Sequence, residues 1–141
     1  MSTEQLTPDL EALRKECLAV LKNAYCRYSN FPVGAALAGK DGKIYTGVNV
    51  ENASFPCGWC AEISAFGSAV TAGVTEFTGM AVACDRKEFV SPCGRCRQVI
   101  IEFCSGTGMP ILLVNRNGDF KKCVIEDLHK MAFKEEHLKD C

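Results

Sequence analysis

The chain of 141 residues has only two histidines, no concentration of charge of either sign and no long apolar run. Each scarcity removes a class of function. His129 and His137 have no partner at a metal-type spacing, so both are read as surface side chains and not as ligands. Lysine and arginine total 16 against 17 acids, and no basic block exceeds a pair. Such a surface does not attract a phosphate polymer, which argues against a nucleic-acid partner. Met1 to Pro8 is polar and the following stretch carries Glu11, Arg14, Lys15 and Glu16, so no export signal is read there. Nothing approaches an uncharged membrane span, and a cytoplasmic protein with no membrane partner is the expectation. Internal repeats, low-complexity tracts and linkers are also missing. Residues 1–141 are therefore read as one domain, with 48% hydrophobic content to build its core.

Cysteine is the residue in excess, with ten copies. In a short exported chain that number would mean a disulfide scaffold, but without an export signal and with an adequate core, reduced thiols are expected. Cys17, Cys84 and Cys104 lie in apolar stretches and are expected to pack as small hydrophobes. Cys26, Cys123 and Cys141 have no motif around them, and none of these six is assigned a role.

Thr7-Pro8 is a helix start, and Leu10, Leu13, Cys17, Val20, Leu21 and Ala24 then recur at helical spacing. Val33 to Ala38 reads as a buried strand, Asp41-Gly42 as a hairpin turn, and Lys43 to Val50 as the returning strand. Cys60 to Ala72 predicts a second helix, with Gly73 available to cap it. Met80 to Cys84 predicts a strand, Cys93 to Phe103 a third helix, Pro110 to Val114 and Phe120 to Ile125 two more strands, and Glu126 to Phe133 a short last helix. Helix, two strands, then alternating helix and strand imply a mixed sheet covered by helices, an α/β fold.

The chemistry concentrates in Cys60-Ala61-Glu62 and, 33 positions after Cys60, in Pro92-Cys93-Gly94-Arg95-Cys96. Cys60, Cys93 and Cys96 fall at helix starts, where partial positive charge lowers thiol pKa values and favours the thiolates that zinc requires. Pro92 suits a helix start and Gly94 is read as keeping the turn slim. Three protein ligands leave zinc a position for water, and water so bound is a nucleophile at neutral pH. Glu62, two residues beyond Cys60, is placed near the metal and off it, where a proton shuttle belongs. The competing reading adds Cys57, since two Cys-x-x-Cys pairs resemble a closed structural site. Their separation exceeds the ~15–20 residues of the short double-knuckle pattern, and a fourth thiolate would leave Glu62 without a task. The open site is favoured, with Cys57 a neighbouring non-ligand.

These motifs, with Phe31-Pro32-Val33-Gly34-Ala35-Ala36, Gly47-Val48-Asn49-Val50-Glu51-Asn52-Ala53 and Ser91-Pro92-Cys93-Gly94-Arg95-Cys96-Arg97-Gln98, resemble the small zinc-dependent cytidine deaminase family. The resemblance runs from Tyr28 to about Phe133. It implies a cytidine deaminase-like three-layer α/β/α fold with a mixed five-stranded sheet, and one Zn2+ per subunit on Cys60, Cys93 and Cys96. It further implies that Glu62 shuttles protons, that Asn49 and Glu51 bind the ribose hydroxyls, and that Phe31 packs on the pyrimidine beside Ala61. The implied partner is a small pyrimidine nucleoside. The implied reaction is hydrolytic deamination of cytidine and 2′-deoxycytidine in pyrimidine salvage, by zinc-bound hydroxide attack at C4 with release of ammonia. A homotetramer is implied as well, neighbouring subunits completing each site, with Phe55 a candidate cross-subunit contact.

The chain departs from the family at Ile63, where three-cysteine members commonly have arginine. Three thiolates on zinc carry a formal charge of −1, which makes bound water less acidic unless donors offset it. Arg95, Arg97 and the two helix starts are the candidates for that compensation, and one of the arginines is expected to hydrogen-bond a ligand sulfur. The apolar residue after Cys-Ala-Glu also resembles blasticidin deaminases, but retention of Asn49-Val50-Glu51-Asn52 favours a ribose nucleoside. Asp127 to Phe133 is only partly family-like.

Overall fold

The structure, a computed structural model, describes residues 4–139; Cys141 and the two ends of the 1–141 range lie outside them. Helix α1 spans Pro8–Ala19 and tightens into a 3-10 turn at Val20–Asn23. Its start is capped by Thr7, whose hydroxyl accepts from the Leu10 N–H at 3.4 Å. Strands β1 (Val33–Gly39) and β2 (Ile44–Val48) form the expected hairpin. Gly42 takes φ 85° in its turn, and the Asp41 carboxylate accepts from the Lys43 N–H and the Tyr45 hydroxyl. After a one-turn 3-10 segment at Phe55–Cys57 come α2 (Ala61–Thr71), β3 (Phe77–Cys84), α3 (Gly94–Cys104), β4 (Ile111–Val114) and β5 (Phe120–Cys123). Gly73, at φ 86°, closes α2 as expected: its N–H reaches the Val70 carbonyl while that of Val74 reaches Ala69.

The five strands form one mixed sheet in the order β2-β1-β3-β4-β5, in which only β3 and β4 run parallel. Because side chains alternate along a strand, each central strand serves two cores. Ala35, Leu37, Met80, Val82, Ile111 and Leu113 face Ala61, Ala65, Phe66 and Ile100 of α2 and α3. Ala36, Ala81, Ala83, Leu112 and Val114 face Leu10, Leu13 and Cys17 of α1. Helices on both faces make the three layers that the resemblance implies. Phe66, Phe77 and Phe103 lock α2, β3 and α3 together, with centroids 5.2–5.8 Å apart.

The C-terminal segment corrects the expectation of a helix over Glu126 to Phe133. Helix α4 lasts one turn, Ile125–Leu128, and the chain leaves it at His129 (φ −139°, ψ 77°). Met131 then adopts φ 54°, and a second short helix, α5, forms at Glu136–Lys139. Gln98 of α3 explains the interruption. Its amide donates to the Phe133 carbonyl at 2.8 Å and lies against the His129 ring at 3.4 Å, while Ala132 is buried in the core. Pulling the segment onto α3 in this way costs it helical geometry. No helix among the described residues is long and apolar enough to cross a membrane.

One glycine sets the distance between sheet and site. A Cβ on Gly47 would lie 2.3 Å from the Ala61 carbonyl oxygen and 2.4 Å from the Ala65 nitrogen, so β2 touches the backbone of the first turn of α2. By contrast, a Cβ on Gly94 meets nothing within 4 Å, so the chain itself does not demand a slim residue there. Gly47→Ala should destabilise the fold by about 1–3 kcal/mol, because backbone has no room to yield. Gly67→Ala, inside α2 where a Cβ meets open space, should be neutral or mildly stabilising. Urea unfolding of the two variants checks this; equal midpoints would refute the close approach.

Candidate active site

The crossover from β3 through α3 to the parallel strand β4 brings the start of α3 to the C-terminal edge of β3. Helix α2, which runs into β3 from the opposite direction, starts at the same edge. Cys60 and Cys93 occupy the two N-cap positions in extended geometry, and neither side chain caps its helix. Both thiols are therefore free to face each other. The Cys60 and Cys93 sulfurs lie 3.7 Å apart, those of Cys93 and Cys96 3.5 Å, and all three are within 4.8 Å of one another. Tetrahedral zinc with bonds of about 2.3 Å requires sulfurs separated by about 3.8 Å. The donor set fits zinc in both chemistry and spacing.

Glu62 is the acid beside this cradle. It is 4% exposed, and the Cys96 thiol donates to its Oε2 at 3.4 Å. Burial pushes its carboxyl pKa upward. Thiol protons offered by Cys96, and less so by Cys93, pull Cys60 down to about 6 against the effect of burial. The same sharing, together with burial, pushes Cys96 up. Zinc, when bound by these residues, would take the place of those shared protons.

Cys60 and Cys93 of the cradle line a cavity of about 570 Å³, within the size range of small-molecule sites. Ala61 and Glu62 line it from α2, Phe31 and Phe55 from the loops, Asn49 and Glu51 from the segment after β2, and Cys93 and Arg95 from α3. Asn49 and Glu51 already have protein partners that their spacing did not reveal. The Asn49 amide accepts from the Val33 N–H at 2.9 Å and donates to the Phe31 carbonyl at 2.8 Å. One Glu51 oxygen accepts from the N–H groups of Tyr28 and Ser29, both at 3.0 Å. Ser29 and these amides hold Glu51 below the usual carboxylate range, so this support persists above that range and fades only as pH falls through the depressed pKa.

Arg97 corrects the expectation of an arginine on a ligand sulfur. Its guanidinium donates to the Pro92 carbonyl at 2.8 Å and to the Ser91 hydroxyl at 2.7 Å, bracing the segment that delivers Cys93. Arg95 makes no hydrogen bond to sulfur either; it acts on Cys60 through its charge. Cys57 is exposed on its 3-10 turn and is outside the three-cysteine group. Reading the sequence passed over Tyr28, Trp59, Val90 and Ser91, which also line the cavity. Trp59 is 46% exposed at the cavity wall, and its position next to Cys60 is the signal that marks it.

Three thiols that converge on one point, with a buried acid beside them and a cavity above, fit a zinc site in which three protein ligands would leave the metal a free position. A family model described as "Cytidine and deoxycytidylate deaminase zinc-binding region" matches residues 7–109. The chain is 47% identical over 130 residues to a cytidine deaminase of Sporosarcina psychrophila, covering 92% of this chain and 95% of that one. It is 39% identical over 132 residues to a cytidine deaminase of Halalkalibacterium halodurans, covering 94% and 99%. Among solved structures, cytidine deaminase from Burkholderia pseudomallei superposes with a TM-score of 0.82 at 41% identity, over 91% of this chain and all of that one. The chain belongs to the cytidine and deoxycytidylate deaminase zinc-binding family.

Cys57→Ser should retain about one zinc per subunit, whereas Cys96→Ser should lose most of it, as measured by metal analysis after dialysis. Loss of zinc from the Cys57 variant would restore the closed four-cysteine site.

Proposed function

We propose that this chain hydrolyses cytidine and 2′-deoxycytidine to uridine and 2′-deoxyuridine, releasing ammonia, as an enzyme of pyrimidine salvage. The observation that carries this reading is the buried Glu62 carboxyl 3.4 Å from a cradle sulfur, lining a cavity sized for a nucleoside. Zinc, when bound, lowers the pKa of a water molecule enough to make it a nucleophile at neutral pH. Glu62 manages the protons. It takes one from the attacking water and delivers it to N3 of the ring as the C4–O bond forms. It then carries the second to the exocyclic nitrogen as the C4–N bond breaks, leaving a carbonyl at C4 and free ammonia.

Phe31 packs on the pyrimidine, and Ala61 meets the base through a backbone N–H that α2 leaves without an intrahelical partner. Asn49 and Glu51 take the ribose hydroxyls with the hydrogen-bonding capacity that the loop over 28–33 does not use. Arg95 and the two helix starts offset the charge of the thiolates where Ile63 cannot. The catalytic domain is the whole of 1–141, one sheet with a core on each face. A homotetramer completes the site, a reading supported by the 77% exposure of Phe55 at the cavity wall. Thiolates that must stay reduced to hold zinc favour the cytoplasm.

Purified zinc-loaded protein should convert cytidine and deoxycytidine, followed by loss of cytosine absorbance and by ammonia release, with cytosine, adenosine and blasticidin as comparisons. Glu62→Ala should keep its zinc and lose about 10²–10⁴-fold in kcat. Near-normal turnover by that variant would sink the mechanism.

A further inference from the structure

Two polar side chains are buried among the described residues, Glu62 and Asn115. The chemistry uses only the first. Asn115 follows β4, and its Nδ2 donates to the Lys87 carbonyl at 3.0 Å and to Asp119 Oδ2 at 3.2 Å. Its Oδ1 accepts from the N–H groups of Asn117 and Asp119, so the side chain is committed to fixing two loops. Arg116 reinforces it. The Arg116 N–H donates to the Arg86 carbonyl at 2.8 Å, and its guanidinium bonds the Asp85 carbonyl and pairs with the Asp85 carboxylate. Residues 85–87, which leave β3, are thus held from the turn between β4 and β5 on each of three consecutive residues.

What this bracing delivers is Arg86. Its guanidinium carbon sits 4.8 Å from the centroid of the Phe31 ring. Asp85, the acid next to it, is engaged by Arg116, and no carboxylate pairs with Arg86 among the described residues. Phe31 lines the cavity, whereas Arg86 does not. The ring is therefore held between its own backbone, tied to Asn49 and Ser29, and a cation over its face. A cation within about 6 Å of a ring centroid is attracted by the ring quadrupole, and the flat guanidinium also stacks.

We propose that Arg86 is a positioning residue for nucleoside binding, fixing the plane of the Phe31 ring against which the pyrimidine lies. The proposal rests on the role given to Phe31 above. It accounts for a buried asparagine and a triply held loop that the zinc chemistry leaves unused.

The test uses zinc-loaded wild type, Arg86→Ala, Arg86→Lys, Phe31→Leu and the double variant. Trp59 is the sole tryptophan and lines the cavity, so its fluorescence reports uridine binding without turnover. Arg86→Ala should weaken uridine binding and raise KM for cytidine by about two- to five-fold, with kcat changed less than two-fold. Arg86→Lys, which keeps the charge but not the plane, should fall between. In the Phe31→Leu background the Arg86→Ala change should add nothing. Wild-type affinity in Arg86→Ala, or an equal penalty in both backgrounds, overturns the proposal, as does a wild type that binds no uridine. A wild type that binds uridine and turns over no cytidine strikes the deaminase reading and leaves the positioning comparison standing.

Discussion

Three sulfurs and a carboxyl gathered within a few ångströms can coexist only while protons or a divalent cation lie among them. Deprotonated together without such a cation, they would repel one another in a site where burial already disfavours charge. The architecture answers this with two helix starts pointed at the same spot, each supplying partial positive charge. That convergence requires α2 and α3 to begin at one edge of the sheet. The single parallel pair, β3 and β4, arranges it. Gly47 lets α2 approach the sheet, and the Phe66, Phe77 and Phe103 cluster keeps α2 and α3 in register with β3.

What was legible in the sequence was local. Thr7, the Asp41-Gly42 turn and Gly73 mark boundaries by backbone chemistry, and each acts where its residue type predicts. Cys60, Cys93 and Cys96 were legible because zinc constrains ligand type, and their nearness to helix starts followed from the periodicity of what comes after them. The segment after α4 was not, since its course depends on Gln98, some thirty positions away, competing for a backbone carbonyl. Arg97 was misread for a related reason. Proximity in sequence to two ligands suggested a sulfur partner, but the nearer acceptors were the Pro92 carbonyl and the Ser91 hydroxyl.

That outcome changes how the charge balance is distributed. A direct hydrogen bond from arginine would draw electron density from one sulfur. Here Arg97 serves geometry by holding the approach to Cys93, and Arg95 reaches Cys60 only through its charge. Ile63, half-buried after Glu62, leaves that acid without a neighbouring cation on its own helix turn.

The two bonds from the Asn49 amide fall on either side of Pro32, one to the residue before it and one to the residue after. Pro32 has a fixed φ and no N–H, so the bracketed tripeptide has little freedom left once the amide is in place. Its conformational entropy is lost when the chain folds and not when a ligand arrives. The ordering of this stretch of cavity wall is thereby charged to folding and not to whatever enters the cavity.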